Sequence, residues 1–313
     1  MAWRRIGQED LITRGEPRSG AMLTELAALI DWDEIERHLR DISAAGKGEP
    51  GWPPLSLFRG LLLATWHDLS DVRLAEALDD RTSFRRFCGF ATHEPTPERT
   101  AFVRFRRALV RRGLDRLLFE AITRQLKAKA VTVKTGTLID ATIIASASHG
   151  DGEAAWAGHQ RRRAIHGFKA HVSADADTAL VEDVAVTPGN AHDGRAGGAA
   201  LPENPGEVYA DSAYRGEVFG AAVRAKGGTA RIVATGMWGR PGDDTLRKLH
   251  RWNHAIQRVR CRIEKIFGTW KRSYGLRRMR WRGLAKAGLQ VRLAAIAYNL
   301  RRSLTLLQAP VAV

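Results

Sequence analysis

The chain predicts an α/β fold with a mixed sheet and flanking helices, preceded by an all-α N-terminal segment. Three observations carry this reading. From about Met22 to Lys129, apolar side chains recur at helical spacing. After Ala130 the pattern becomes β-branched and extended. Three strand candidates then follow in sequence, succeeded by a strand–helix–strand stretch and a long helix, which is the plan of a mixed α/β sheet. The 313 residues suffice for two domains. We divide them into a helical domain at 1–130, an α/β domain at 131–302 and a C-terminal tail at 303–313.

In the first segment, Leu23, Leu26, Ala27 and Ile30 share a helix face, as do Ile35 and Leu39 after Asp33. Gly51-Trp-Pro-Pro is a break, and Leu55–His67 is a compact apolar helix. Leu69-Ser70-Asp71 offers an N-cap to the next. Asp71–Leu78 and Thr82–Cys88 form a helix-turn-helix-like pair, which would either read DNA or serve packing and dimerisation. Thr96-Pro97-Glu98 reads as cap, first-turn proline and first-turn acid of a helix carrying Phe102, Phe105 and Leu109. Another helix follows through Leu117 to Leu126.

The second segment has five strand candidates. Val131–Asp140 and Val208–Asp211 each end on an acid. His166–Ser173, Ala179–Thr187 (stopped by Pro188-Gly189) and Arg231–Thr235 are the others. Gly216–Ala225 reads as a helix. A long helix runs from after Asp243 through Glu264 towards Trp270 or Tyr274.

Charge narrows the function. There are 50 Lys+Arg against 34 Asp+Glu, a net charge of +16. Between Arg251 and Arg302 stand 15 basic residues and one acid, Glu264. That window alone carries +14. Such segregation of sign is the footprint of a polyanionic partner, nucleic acid first. Two cysteines, Cys88 and Cys261, are too few for a disulfide framework or a four-cysteine zinc site. Cys261 is read as a packing residue. No apolar run approaches the roughly 18 residues of a membrane span, and no signal peptide is legible. No glycine-rich phosphate loop argues for nucleotide hydrolysis. A cytoplasmic, nucleoid-associated protein without a membrane partner is expected.

The acids suggest chemistry. Asp140 and Asp211 lie at strand ends among small residues, Ile-Asp-Ala-Thr and Ala-Asp-Ser-Ala, which leave room for a ligand at the carboxylate. Two close carboxylates repel unless a proton or cation is shared. A hard divalent ion, Mg²⁺ or Mn²⁺, resolves that repulsion. Glu264 stands four residues after Arg260 and seven before Lys271, on one helix face. It would either join the two aspartates or simply pair with Arg258, Arg260 or Lys265. A carboxylate trio in a basic groove suits phosphoryl transfer with two metal ions. Phosphates of double-stranded DNA would meet the Lys and Arg side chains. Gln160-Arg161-Arg162-Arg163 is a phosphate-binding loop or a solvated turn. Trp270, Tyr274 and Trp281 are stacking rings or core. Asp193 is an accessory acid or a turn residue, with the turn favoured. His166, His171 and His192 are given structural roles.

Ile-Asp140-Ala-Thr, Tyr-Ala-Asp211-Ser-Ala-Tyr and Arg260-Cys-Arg-Ile-Glu264 followed by Lys271 resemble the three acidic motifs of bacterial insertion-sequence DDE transposases. More narrowly, they resemble the insertion-sequence-five group of the four/five superfamily. His166-Gly-Phe-Lys169, Thr187-Pro-Gly-Asn-Ala-His-Asp193, Leu69-Ser-Asp and Phe84-Arg-Arg-Phe87 extend the likeness over roughly residues 45–302. Gln257 stands where that superfamily's last motif has Tyr. The resemblance implies a ribonuclease-H-like catalytic core after an α-helical N-terminal domain. It implies Asp140, Asp211 and Glu264 as catalytic metal ligands for two Mg²⁺ or Mn²⁺ ions. It further implies a protein that binds terminal inverted repeats as a homodimer or larger, cleaves at the ends and joins 3′-hydroxyls to target DNA. Gln257, Arg260, Lys271, Arg272, Arg277, Arg278, Arg280, Arg161, Arg162, Arg163 and Lys169 are the expected DNA contacts. Rival readings are a metal-dependent nuclease of the same fold and a DNA-binding regulator derived from a transposase.

Overall fold

The structure, a computed structural model, describes residues 20–40, 42, 50–129, 134–159, 162–236 and 242–308. These divide into two compact units. One takes the described residues of Met1–Ala130, Ser273–Gly275 and Arg292–Val313, and the other those of Val131–Arg272 and Leu276–Val291.

The first unit is helical. Its elements are α1 (Ala21–Ala28), α2 (Trp32–Leu39), α3 (Pro54–Trp66), α4 (Asp71–Asp80), α5 (Thr82–Cys88), α6 (Arg99–Arg111) and α7 (Leu114–Lys129). Residues 292–308 of a long C-terminal helix join them. Asp31 caps α2 by accepting from the Asp33 and Glu34 amides, and Ser70 caps α4 by accepting from Arg73 N. α3 begins on Pro54 and is buried on most sides through Leu57, Phe58, Leu61, Leu62, Leu63 and Trp66. The Trp66 indole donates to the Ala297 carbonyl at 2.8 Å. Ion pairs cross between helices: Arg106 grips Asp71 with both terminal nitrogens at 2.6 and 2.7 Å, and Arg292 meets Asp115 at 2.5 Å. The start expected at Thr96-Pro97-Glu98 lies further on. The Thr96 hydroxyl donates to the Asp79 carboxylate, residue 98 stays extended, and α6 begins at Arg99.

The second unit holds β1 (Gly136–Ala145), β2 (Ala155–His159), β3 (Arg162–Asp175), β4 (Val181–Pro188), α8 (Asp193–Ala196), β5 (Glu207–Ala210), α9 (Glu217–Ala225), β6 (Thr229–Ile232), α10 (Asp243–Ser273) and the start of α11 (Leu284–Gln308). The sheet runs β2-β3-β1-β5-β6, with β4 also on β3. β3 pairs antiparallel with β1, β2 and β4, whereas β1, β5 and β6 are parallel. The sheet is therefore mixed, as expected. Gly167 is required where β3 crosses β1. A Cβ there would stand 2.1 Å from the Ile144 carbonyl oxygen, so no larger residue fits without moving backbone. On one side, Ile139, Val208 and Ala210 pack with Tyr214, Phe219 and Val223. In α10, Ile256, Ile263, Ile266, Phe267 and Trp270 form the buried stripe.

Several expectations are corrected. β1 does not end at Asp140. It continues to Ala145, because Thr142-Ile-Ile-Ala keeps pairing with the long β3 after the contact with β5 stops at Leu138. β2 and α11 were not anticipated. β6 spans Thr229–Ile232, starting two residues and ending three residues earlier than read. Cys261 is exposed rather than packed, and Trp270 and Tyr274 are core. No helix among the described residues is long and apolar enough to cross a membrane.

Candidate functional site

Asp140 and Asp211 approach one another because their strands are parallel neighbours. The register ends with Leu138 opposite Tyr209, and two residues further along both chains these acids come level. Each has one oxygen tied to a nearby backbone amide: Asp140 Oδ1 accepts from Ala141 N at 2.8 Å, Asp211 Oδ1 from Ala213 N at 2.9 Å. Alanines at 141 and 213 add little bulk beside these bonds. Asp211 thereby caps the 3-10 turn Ser212–Tyr214.

Arg260, from α10, donates to Asp140 Oδ2 at 2.6 Å, and its other terminal nitrogen lies 3.6 Å from Glu264. Asp140 and Arg260 are largely covered, whereas the Glu264 side chain is 65% exposed. Glu264 thus reaches Asp140 through a guanidinium rather than directly. The Asp140 carboxyl is pushed up to about 6, first by burial. Arg260 and the Ala141 amide pull it down, while Asp211 and Asp193 add repulsion.

Behind this pair sits a second cluster. Lys169 donates to the Ala191 carbonyl at 2.7 Å and its ammonium lies 2.8 Å from Asp193. His171 is fully buried, with Nε2 3.1 Å from the Thr187 hydroxyl and Nδ1 3.9 Å from Asp193. Asp193 begins α8, and His192 caps it by accepting from the Gly194 amide. The carboxylate of Asp193 faces inward, and its charge reaches Asp140. The buried Tyr214 hydroxyl feels Asp140, Asp193 and Asp211, and burial is the chief cause of its raised pKa. Tyr214 OH, His171 Nδ1 and Arg260 Nε are buried atoms without a hydrogen bond, and Asp193 Oδ1 has only its ion pair with Lys169. Unmet polar atoms around two carboxylates suit a polar or ionic ligand.

The donor chemistry of Asp140 and Asp211 fits a hard divalent cation. Among the described residues, no three His, Cys, Asp or Glu side chains stand close enough to hold one together.

The expected DNA contacts are scattered. Gln257, Arg272, Arg277 and Arg278 are exposed, Lys271 and Arg280 half-buried. Arg278 spends its guanidinium on the Ser146 and Ala147 carbonyls, and Arg277 Nε donates to the Lys271 carbonyl. Lys169 is an internal ion partner. Arg163 is exposed on β3, while Arg161 and the Arg162 side chain lie outside the described residues. Sequence reasoning missed Tyr214, although the Asp211-Ser-Ala-Tyr spacing of three could have pointed to it. It favoured a turn role for Asp193, since a short acid after Pro-Gly is ordinarily a turn residue.

Two family models match. Residues 132–300, more than half of the chain, match the Transposase DDE domain, and residues 9–108 match the Transposase domain (DUF772). The first span contains both aspartates, Arg260 and Glu264, and on this match the chain belongs to the transposase DDE-domain family.

Proposed function

We propose that this chain is the DNA transposase of a bacterial insertion sequence of the insertion-sequence-five group. It binds the terminal inverted repeats, cleaves at the ends and joins the freed 3′-hydroxyls to target DNA. The observation that carries this is that Asp140 on β1 and Asp211 just past its parallel neighbour β5 each stand two residues beyond the last paired residues, inside the span that matches a transposase DDE domain. The order of β4-β3-β1 antiparallel and β1-β5-β6 parallel strands supports a ribonuclease-H-like core. In this reading residues 131–302 do the chemistry, residues 1–130 bind DNA or dimerise, and 303–313 form a tail.

Asp140 and Asp211 would hold Mg²⁺ or Mn²⁺, with Glu264 as the third ligand of a two-ion site. The ions, when bound, supply Lewis-acid stabilisation of phosphoryl charge and an acidified water. The chain's own groups do the rest. The Ala141 and Ala213 amides orient the two carboxylates. Arg260 offsets the charge of Asp140, and its second nitrogen keeps Glu264 near. Asp193, held by Lys169, adds negative charge from behind and sharpens the demand for a cation. Exposed arginines of the +14 window would meet phosphates of the DNA duplex, which two or more copies of the chain would bring together.

Asp140→Ala and Asp211→Ala tests this reading. Each should lower Mg²⁺-dependent cleavage of inverted-repeat DNA by about a thousandfold or more, the rate equivalent of several kcal/mol of lost charge stabilisation. Circular dichroism should stay that of the parent. Folded variants that cut near the parental rate would refute the assignment.

A further inference from the structure

The hairpin β2–β3 carries a feature that the acidic site does not use. Trp156 is 57% exposed, unusual for the largest apolar side chain. It is the cross-strand partner of His166, with ring centroids 5.3 Å apart. His149, from the loop after β1, lies 5.8 Å from Trp156 and stacks on His166 at 5.9 Å with 22° between planes. Three flat rings thus form one cluster at the surface.

The cluster is braced. His166 Nδ1 is 2.9 Å from the Ser146 hydroxyl. Arg278 donates to the Ser146 and Ala147 carbonyls at 3.1 and 2.9 Å, and Arg282 to the Ser148 hydroxyl at 2.8 Å. The nearby acids are turned away: Asp151 and Glu153 accept from the Gly283 and Leu284 amides. Arg278 and Arg282, exposed at the surface, stand beside the loop that carries these rings. A cross-strand Trp–His pair would steady a hairpin without this bracing, and steadying alone gives no reason to leave more than half the indole in water.

We infer that Trp156, backed by His149 and His166, is a stacking platform for an unpaired DNA base, with the neighbouring arginines on the flanking phosphates. A rigid aromatic face beside cations is the chemistry that holds single-stranded nucleic acid. Placement agrees with this. Six residue steps along β1 lead from Asp140 to Ser146, about 20 Å at roughly 3.3 Å per residue. A strand with about 3.4 Å between nucleotides covers that in about six steps. The inference rests on the DNA-binding reading above and deepens it.

The test is fluorescence anisotropy with the full-length protein and two probes, a blunt duplex and the same duplex bearing four unpaired thymines at one end. The parent should prefer the unpaired probe by about 5- to 100-fold, the range of one stacked base. Trp156→Ala should lose that preference and bind the blunt duplex within about twofold of the parent. Trp156→Phe should keep most of it. A preference that survives Trp156→Ala, an equal loss on both probes, or no preference in the parent would overturn the platform alone. A variant that changes only the sedimentation coefficient would assign the ring to contact between copies, and overturn it too. A parent that binds neither probe would instead remove the DNA-binding reading itself.

Discussion

Asp140 and His171 titrate in opposite senses, and their contributions to stability oppose one another in the same pH window. Burial pushes Asp140 from an ordinary 3.8 to about 6, so its contribution is present at low pH and is lost as pH rises through about 6. Burial pushes His171 from 6.5 down to about 4, so its contribution is present above 6.5 and is lost as pH falls towards 4. Asp140→Asn removes the first and leaves the second. The variant should therefore lose stability more steeply than the parent between pH 6.5 and 4, read as urea midpoints across that range. Parallel profiles would mean that Asp140 is not desolvated as described. At this scale the sequence was informative about Asp140 and Asp211, because an acid among small residues at the end of a short apolar strand is conspicuous. It said less about Asp193 and Tyr214. Their inward aim depends on α8 and a 3-10 turn folding back on the sheet, which neighbouring residues alone do not specify.

The helix α10 combines two faces with different work. Its buried stripe anchors it, and the Arg260–Glu264 face looks to the acids. Glu264 is exposed and its arginine is 3.6 Å away, so Glu264→Gln should shift stability by at most about 0.5 kcal/mol. If Glu264 is the third metal ligand, the same variant should bind DNA and fail to cleave it. Near-normal cleavage at saturating DNA and millimolar Mg²⁺ would leave it only an ion partner of Arg260. Arg272 and Arg277 are exposed near the end of this helix. Replacing both with Ala should flatten the dependence of log K on log salt by about 1.8, for two phosphates. An unchanged slope would place them away from DNA. The helices of the first unit were legible because apolar side chains recur there at helical period, with Ser70 as a side-chain cap at the start of α4. α11 was not, since Leu289, Val291, Leu293, Ala294, Ile296 and Leu300 are buried around several sides and leave no polar face to mark a period. β2 is short, and Ala-Trp-Ala-Gly-His holds no β-branched residue. The overrun of β1 past Asp140 reflects pairing with a 14-residue β3, a partner distant in sequence.

Over the whole chain, a +14 window, two acids just beyond a parallel strand pairing and a transposase DDE-domain match support the proposed reading. The mixed sheet and the helical first segment were readable from composition shifts and periodicity. The division of α11 between the two units was not, because a helix carries no sequence mark where its contacts change. What separates a transposase from a nuclease of the same fold is joining. The decisive measurement supplies the full-length protein with pre-cleaved inverted-repeat ends bearing free 3′-hydroxyls, a supercoiled plasmid and Mg²⁺, and scores covalent end-to-plasmid products on a denaturing gel. Joined products from the parent, absent with Asp211→Asn at equal DNA occupancy, are expected. Bound ends that are only hydrolysed, or joining that survives loss of Asp211, would contradict the proposed function.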